Sequence, residues 1–121
     1  MSLIVRLSAA LAAFSCSCAL SQEMAVSPKE IQETWVGRTL VGNTSGGGTV
    51  SMTLKADGTA QLSVGKTNDA GTWRLSEQGY CTTWNTIRSG QERCFTVRRT
   101  RSSTVFNPDG TASGTFTEIR P

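Results

Sequence analysis

Residues 49–64 constrain the fold more than any other stretch of the chain. Val50, Met52 and Leu54 alternate with Thr49, Ser51, Thr53 and Lys55, which is the period of a strand with one buried face. Asp57-Gly58 follows, a two-residue type I′ hairpin signal, and residues 59–64 return with Ala60, Leu62 and Val64 on the inner side. A two-stranded hairpin is not stable alone, so its apolar face needs further strands. The rest of the chain supplies them. Residues 38–43 form a first strand, ended by Thr44-Ser45-Gly46-Gly47-Gly48, a loop expected to be flexible. A turn at 66–69 leads to a strand over 71–76, with Trp73 and Leu75 inward. Further strands are expected over 80–87, 93–99, 103–107 and 111–119, with Glu77-Gln78-Gly79 and Pro108-Asp109-Gly110 as turns.

Eight short strands with brief connections and no crossover helix describe an antiparallel meander. Such a sheet disposes of its exposed edges by curling until it closes. The expected fold is all-β, a small eight-stranded up-and-down barrel, with a two-sheet sandwich as the alternative. Composition agrees: 17 Thr and 12 Gly in 121 residues favour strands and tight turns. Charged residues are 17% and hydrophobic ones 37% of the chain, too apolar a balance for a disordered tail, and the length suits one domain.

The segments before the barrel read differently. Residues 1–21 carry one charge, Arg6, then an apolar run over 7–20 and small residues ahead of Gln22-Glu23. This is the pattern of a cleavable signal peptide, shorter than the roughly 20 apolar residues of a membrane span. Cleavage is expected before Gln22, giving a periplasmic or secreted protein. Lipidation at Cys16 or Cys18 is the alternative, although neither has Leu three places before it. The remaining chain holds 11 basic and 9 acidic residues, a net charge of +2 that is no nucleic-acid footprint. In the segment 22–36, Ser27-Pro28-Lys29-Glu30 is a capping box with Pro at the first helical position. It predicts a short helix over 28–34 that presents Ile31 and Trp35 on one face. The barrel domain then covers 37–121.

Loss of the leader leaves two cysteines, Cys81 and Cys94, which in an oxidising compartment are expected to pair. A tight turn at Ser89-Gly90 would set them out of register. Either a bulge shifts the register or, the preferred reading, a wider loop centred near Ile87-Arg88, with the preceding strand ending near Asn85, brings them opposite each other.

Chemistry is sparse. There is no His, so neither metal catalysis nor a His-activated nucleophile is expected, and no cofactor motif is present. Asp57, Asp69, Glu77 and Asp109 fall in turns, where acidic residues are ordinary. Gly65-Lys66-Thr67 resembles the end of a phosphate loop, but Ala60 stands where the first glycine belongs and no helix follows. No catalytic or metal-binding residue is assigned, and the chain is not expected to be an enzyme. Two groups remain. Trp73, Tyr80, Trp84 and Phe95 gather on neighbouring strands and either fill the core or wall a small ligand cup. Arg98, Arg99 and Arg101 form the densest basic cluster, either a solvated strand edge or a contact for an anion or a partner.

Gly37-Arg38-Thr39-Leu40, Asp57-Gly58-Thr59, Gly71-Thr72-Trp73-Arg74-Leu75, Tyr80-Cys81-Thr82-Thr83-Trp84 and Cys94-Phe95-Thr96-Val97 together resemble the proteobacterial family catalogued as domain of unknown function 995. The likeness spans residues 34–106. It implies a small exported calycin-like barrel with paired cysteines and no assigned role, and it brings no catalytic residues. The Gln91-Glu92-Arg93 insert and the arginine cluster depart from that pattern. Two functions are compatible with this reading. One is a small-ligand-binding or structural module whose interior holds one small apolar ligand or is packed. The other is a protein inhibitor or envelope-stress protein, which would meet a hydrolase or other partner through the Gly46–Gly48 loop or residues 22–27.

Overall fold

The hairpin over 49–64 forms, but with a longer turn than its sequence suggests. In a computed structural model that describes residues 23–121, β3 (Thr49–Leu54) and β4 (Thr59–Val64) pair with Leu54 opposite Ala60. Only Gly58 takes a positive φ, at 88°. Its N–H donates to the Lys55 carbonyl at 3.1 Å, which makes a four-residue turn that ends in a glycine bulge rather than a type I′ turn. Asp57 is held in the ordinary region because its Oδ1 accepts from the N–H and Oγ1 of Thr59, at 2.9 and 2.6 Å. Asn107-Pro108-Asp109-Gly110-Thr111 repeats the same device, with Asp109 Oδ1 accepting from Thr111 at 2.9 and 2.6 Å. The expected leader over 1–21, with Cys16 and Cys18, lies outside the described residues.

β1 (Met24–Ala25) and α1 (Pro28–Thr34) precede the barrel, which runs through β2 (Thr39–Thr44), β3, β4, β5 (Thr67–Leu75), β6 (Gly79–Trp84), β7 (Arg93–Arg99), β8 (Ser103–Phe106) and β9 (Ala112–Arg120). Each of β2 to β9 pairs antiparallel with the next, and β9 returns to β2, so eight strands close. The closure between β2 and β9 carries a register shift between Val41 and Gly42. A Cβ on Gly42 would collide with the Thr115 carbonyl, so only glycine lets the strands approach there. β5 starts earlier than expected. The turn is Gly65-Lys66, with Gly65 at φ 57°, and residues 67–69 belong to the strand rather than to a turn.

α1 occupies its expected residues. Ser27 Oγ accepts from the Glu30 N–H at 3.1 Å, but only half of the capping box forms, because the Glu30 carboxylate pairs with Arg99 instead of turning back. The helix packs on the barrel. Ile31 and Trp35 are 0% and 1% exposed, and Trp35 makes edge contacts with Tyr80 and Phe116 at centroid distances of 5.6 and 5.7 Å. Trp35 therefore plugs one end of the barrel, above a core of Leu40, Met52, Leu54, Ala60 and Val97. β1 adds a short ninth strand, pairing Met24 with Arg99 and Ala25 with Arg98.

Cys81 and Cys94 are directly opposed on β6 and β7, bonded through their sulfurs, with Cα atoms 3.9 Å apart. The connection between these strands is the wide one: β6 stops at Trp84 and a 3₁₀ turn covers Ile87–Gly90. Arg74 and Glu92 form a two-point ion pair at 2.7 and 3.0 Å across the outer side of the disulfide. The Arg74 Nη2 and Glu92 Oε1 atoms each lie 4.0 Å from Cys94 Sγ. Cys81, Glu92 and Cys94 are grouped closely enough to suggest metal ligands. The S–S bond, however, removes the thiolates that a metal would need.

Candidate functional site

With one end plugged, the strands enclose a lumen that opens at the other, where β2, β4, β6 and β8 end. A cavity of about 100 Å³ lies there. Alternation places Val50, Met52, Leu62, Val64 and Phe116 on its wall. Tyr80, Thr82 and Trp84 reach it from β6, and Phe95 from β7. Of the four aromatic residues singled out in the sequence, Tyr80, Trp84 and Phe95 are thus brought together around this cavity. Trp73 is not among its lining residues. It sits at the plugged end, half-buried, where β5 runs beyond the start of β4, and its Nε1–H donates to the Lys55 carbonyl at 2.7 Å. The side chain is on the inner face as expected, yet the overhang places it over the β3–β4 turn.

The three clustered arginines also separate. Arg99 pairs with Glu30, and Arg98 lies 3.9 Å from Glu23. Both acids belong to the N-terminal segment that β1 and α1 hold against β7, which satisfies most of the basic patch internally. Arg101 lies beyond the end of β7 with no acidic partner among the described residues. The two loops considered for partner binding are hydrogen-bonded to the barrel, although their outer surfaces stay exposed, Met24 at 59%. Ser45 donates to the Ser113 and Ala112 carbonyls at 3.0 and 2.5 Å, and Thr44 Oγ1 accepts from the Gly48 N–H at 3.1 Å, so the glycine loop is pinned rather than loose. Residues 24–25 are strand-paired.

The residue that sequence reasoning missed is Arg88. It stands in the polar connection after β6, where a single basic residue before Ser89-Gly90 looks like solvated loop. The backbone there is unusual: Arg88 and Ser89 have φ of 56° and 55°, followed by Gly90 at 72°. Consecutive non-glycine residues in the left-handed region are costly, on the order of 1 kcal/mol or more each, and persist only where surrounding contacts impose them. The Ser89 N–H closes the turn on the Thr86 carbonyl at 3.1 Å, the Gln91 N–H donates to the Arg88 carbonyl at 3.0 Å, and Asp69 anchors the start of the turn. Its Oδ2 accepts from the Thr86 N–H, the Thr86 hydroxyl and the Ile87 N–H at 3.0, 2.9 and 2.9 Å. The Ile87 N–H, followed by the Thr86 donors, holds the Asp69 carboxyl down at about 2. The anchored turn directs Arg88 back over the mouth, its guanidinium 5.0 Å from the Phe95 ring centroid.

Phe95 stacks in turn on Tyr80 at 5.3 Å, so an aromatic column runs from the plug at Trp35 through Tyr80 and Phe95 to the Arg88 cation. Burial pushes the Tyr80 phenol well above its usual value, partly offset by the Arg88 charge, and keeps it a neutral hydroxyl. Burial, and then the like charge of Arg93, lowers the Arg88 guanidinium from its ordinary value. Arg88 Nη1 and Thr82 Oγ1 are buried and have no hydrogen-bond partner among the described residues. Both residues line the cavity. An unpaired buried polar group costs about 1–3 kcal/mol, and more when it is charged. No family model, no curated protein and no solved structure matches this chain.

Proposed function

We propose that the chain is a non-enzymatic binding module of the cell envelope or exterior, a barrel that takes one small molecule into its lumen. The observation that carries this reading is the cavity of about 100 Å³ with an apolar wall, plugged by Trp35 at one end and open at the other. A barrel of eight strands has an interior that its side chains can fill. Here large residues crowd the plugged end, and the other end is left partly hollow. An engineered apolar cavity of about 150 Å³ takes benzene or xenon, so the guest here is smaller, or leaves part of itself at the mouth. Export rests on the leader-like segment 1–21. Membership of the family catalogued as domain of unknown function 995 would add no substrate to this proposal.

The pinned glycine loop and the strand-paired residues 24–25 favour the lumen over a surface contact with a protein partner. Xenon is a suitable neutral probe. Under xenon pressure, methyl NMR signals of Val50, Leu62 and Val64 should shift while that of the exposed Ile119 does not. Lumen methyls that fail to respond would mean a packed interior and would overturn the proposal.

A further inference from the structure

At the mouth of the lumen, Arg88 forms no ion pair with any acidic side chain among the described residues. We infer that Arg88, with Thr82 lining the same cavity, is the recognition site for a small organic anion, a short-chain carboxylate whose apolar tail enters the cavity. This rests on the lumen reading above and adds the chemical class of the guest.

The described carboxylates around the mouth are all engaged elsewhere. Asp69 is saturated by Thr86 and Ile87, Glu92 is held by Arg74, and Asp109 by Thr111. None forms an ion pair with Arg88 among the described residues. A guanidinium stays protonated at any physiological pH, so Arg88 cannot relieve its burial by losing its charge. Stacking on Phe95 compensates for only part of the lost hydration and leaves the in-plane N–H groups unused. Arg88 Nη1 is one such unused donor, and Thr82 Oγ1, in a residue only 1% exposed, is a second group on the same cavity. Native proteins seldom leave buried polar atoms without partners, and of the three such atoms among the described residues, the other being Asn107 Oδ1, these two line one cavity. A planar carboxylate matches the guanidinium fork and accepts from a hydroxyl as well.

The wall selects the remainder of the guest. Below the polar pair, Val50, Met52, Val64 and Phe116 offer no donor or acceptor from their side chains, which favours a hydrocarbon tail over a sugar or a phosphate ester. A cavity of about 100 Å³ limits that tail to a short one. Inorganic anions would satisfy Arg88 but leave the apolar wall unused.

The test is calorimetric titration of the intact protein with sodium butyrate, butanamide and sodium chloride, repeated on Arg88→Gln, Arg88→Lys and Arg101→Gln. Butyrate should bind at about millimolar strength. Arg88→Gln should weaken it by about ten- to a hundredfold, the range of a charge-assisted hydrogen bond. Arg88→Lys should retain part of the affinity, and Arg101→Gln should match the parent. Butanamide should bind more weakly than butyrate and respond little to Arg88→Gln. Equal affinity for butyrate and butanamide, or equal loss on Arg101→Gln, overturns the anion site while leaving the lumen reading intact. Chloride binding that equals butyrate overturns the organic anion as guest. If xenon, butyrate and butanamide all fail to bind, the lumen reading falls and the inference falls with it.

Discussion

At the end of the barrel closed by α1, Arg99 meets Glu30, Arg98 meets Glu23, and Arg38 donates to the Glu33 and Thr34 carbonyls at the end of the helix. At the open end, Arg88 lies over the Phe95 ring and forms no ion pair among the described residues. The same side chain is thus used in two ways on one small scaffold. Where a charge and a large aromatic serve stability, the fold supplies acids and fills the space with Ile31 and Trp35. Where a charge is left without an acid, the backbone around it is strained and the space in front of it is hollow. On the proposed function, stability and recognition lie at opposite ends, and substitutions at the two ends should differ in sign as well as in size.

The largest effect belongs to the plug. Trp35→Ala should destabilise by about 3–5 kcal/mol, as aromatic core truncations do. Trp73→Ala, half-buried at the same end, should lose clearly less. Denaturant unfolding of both variants measures the difference, and equal losses would mean that Trp35 does not close the barrel. Next comes the Cys81–Cys94 bond. Replacing both cysteines by alanine should lower stability by about 3 kcal/mol, chiefly by loosening the unfolded chain. A thermal midpoint unchanged by reductant would contradict this.

At the mouth the sign reverses. Arg88→Met removes a half-buried charge whose Nη1 has no partner among the described residues and should leave stability unchanged or raise it by about 1 kcal/mol. Arg99→Ala at the plugged end should instead cost about 1 kcal/mol, since its pair is partly exposed. Chemical denaturation of the two variants side by side would break the contrast if both were equally destabilised. The smallest effect is local. The Asp69 carboxyl, held at about 2 by the Ile87 and Thr86 donors, lies below its ordinary 3.8. A lowered folded value gives support that is complete above pH 3.8 and fades as the pH falls through about 2. The protection of the Thr86 and Ile87 amides, measured against intrinsic exchange at each pH, should therefore fall at low pH before that of the barrel strands. Asp69→Asn should show the same loss of protection at neutral pH.

The barrel was legible because each strand carries its own period: Val50-Met52-Leu54 and Ala60-Leu62-Val64 declare an inner face whatever their partners are. Ser27-Pro28 marked the helix for an equally local reason. The turn at Asp57-Gly58 was misread because Asp57 bonds to Thr59 and stays at ordinary φ, which adds a residue to the loop. The site was harder. Tyr80, Trp84 and Phe95 lay in view as inward aromatics. Trp35 did not join them, because its place in the lumen depends on how α1 docks. Arg98, Arg99 and Arg101 drew attention by density alone, and the acid that quenches Arg99 lies 69 residues earlier. Arg88 gave no comparable signal. Its importance comes from an anchor at Asp69, 18 residues before Ile87, which no local pattern exposes.

The proposed recognition requires that an organic anion reach Arg88 from within the lumen. The most direct measurement follows the arginine side-chain N–H signals and the lumen methyls together by NMR while butyrate is added. The Arg88 signals should move in step with the methyls of Val50, Met52 and Val64, with those of Arg98, Arg99 and Arg101 unchanged. Movement confined to Arg101 or to other surface positions, with the lumen methyls still, would contradict it.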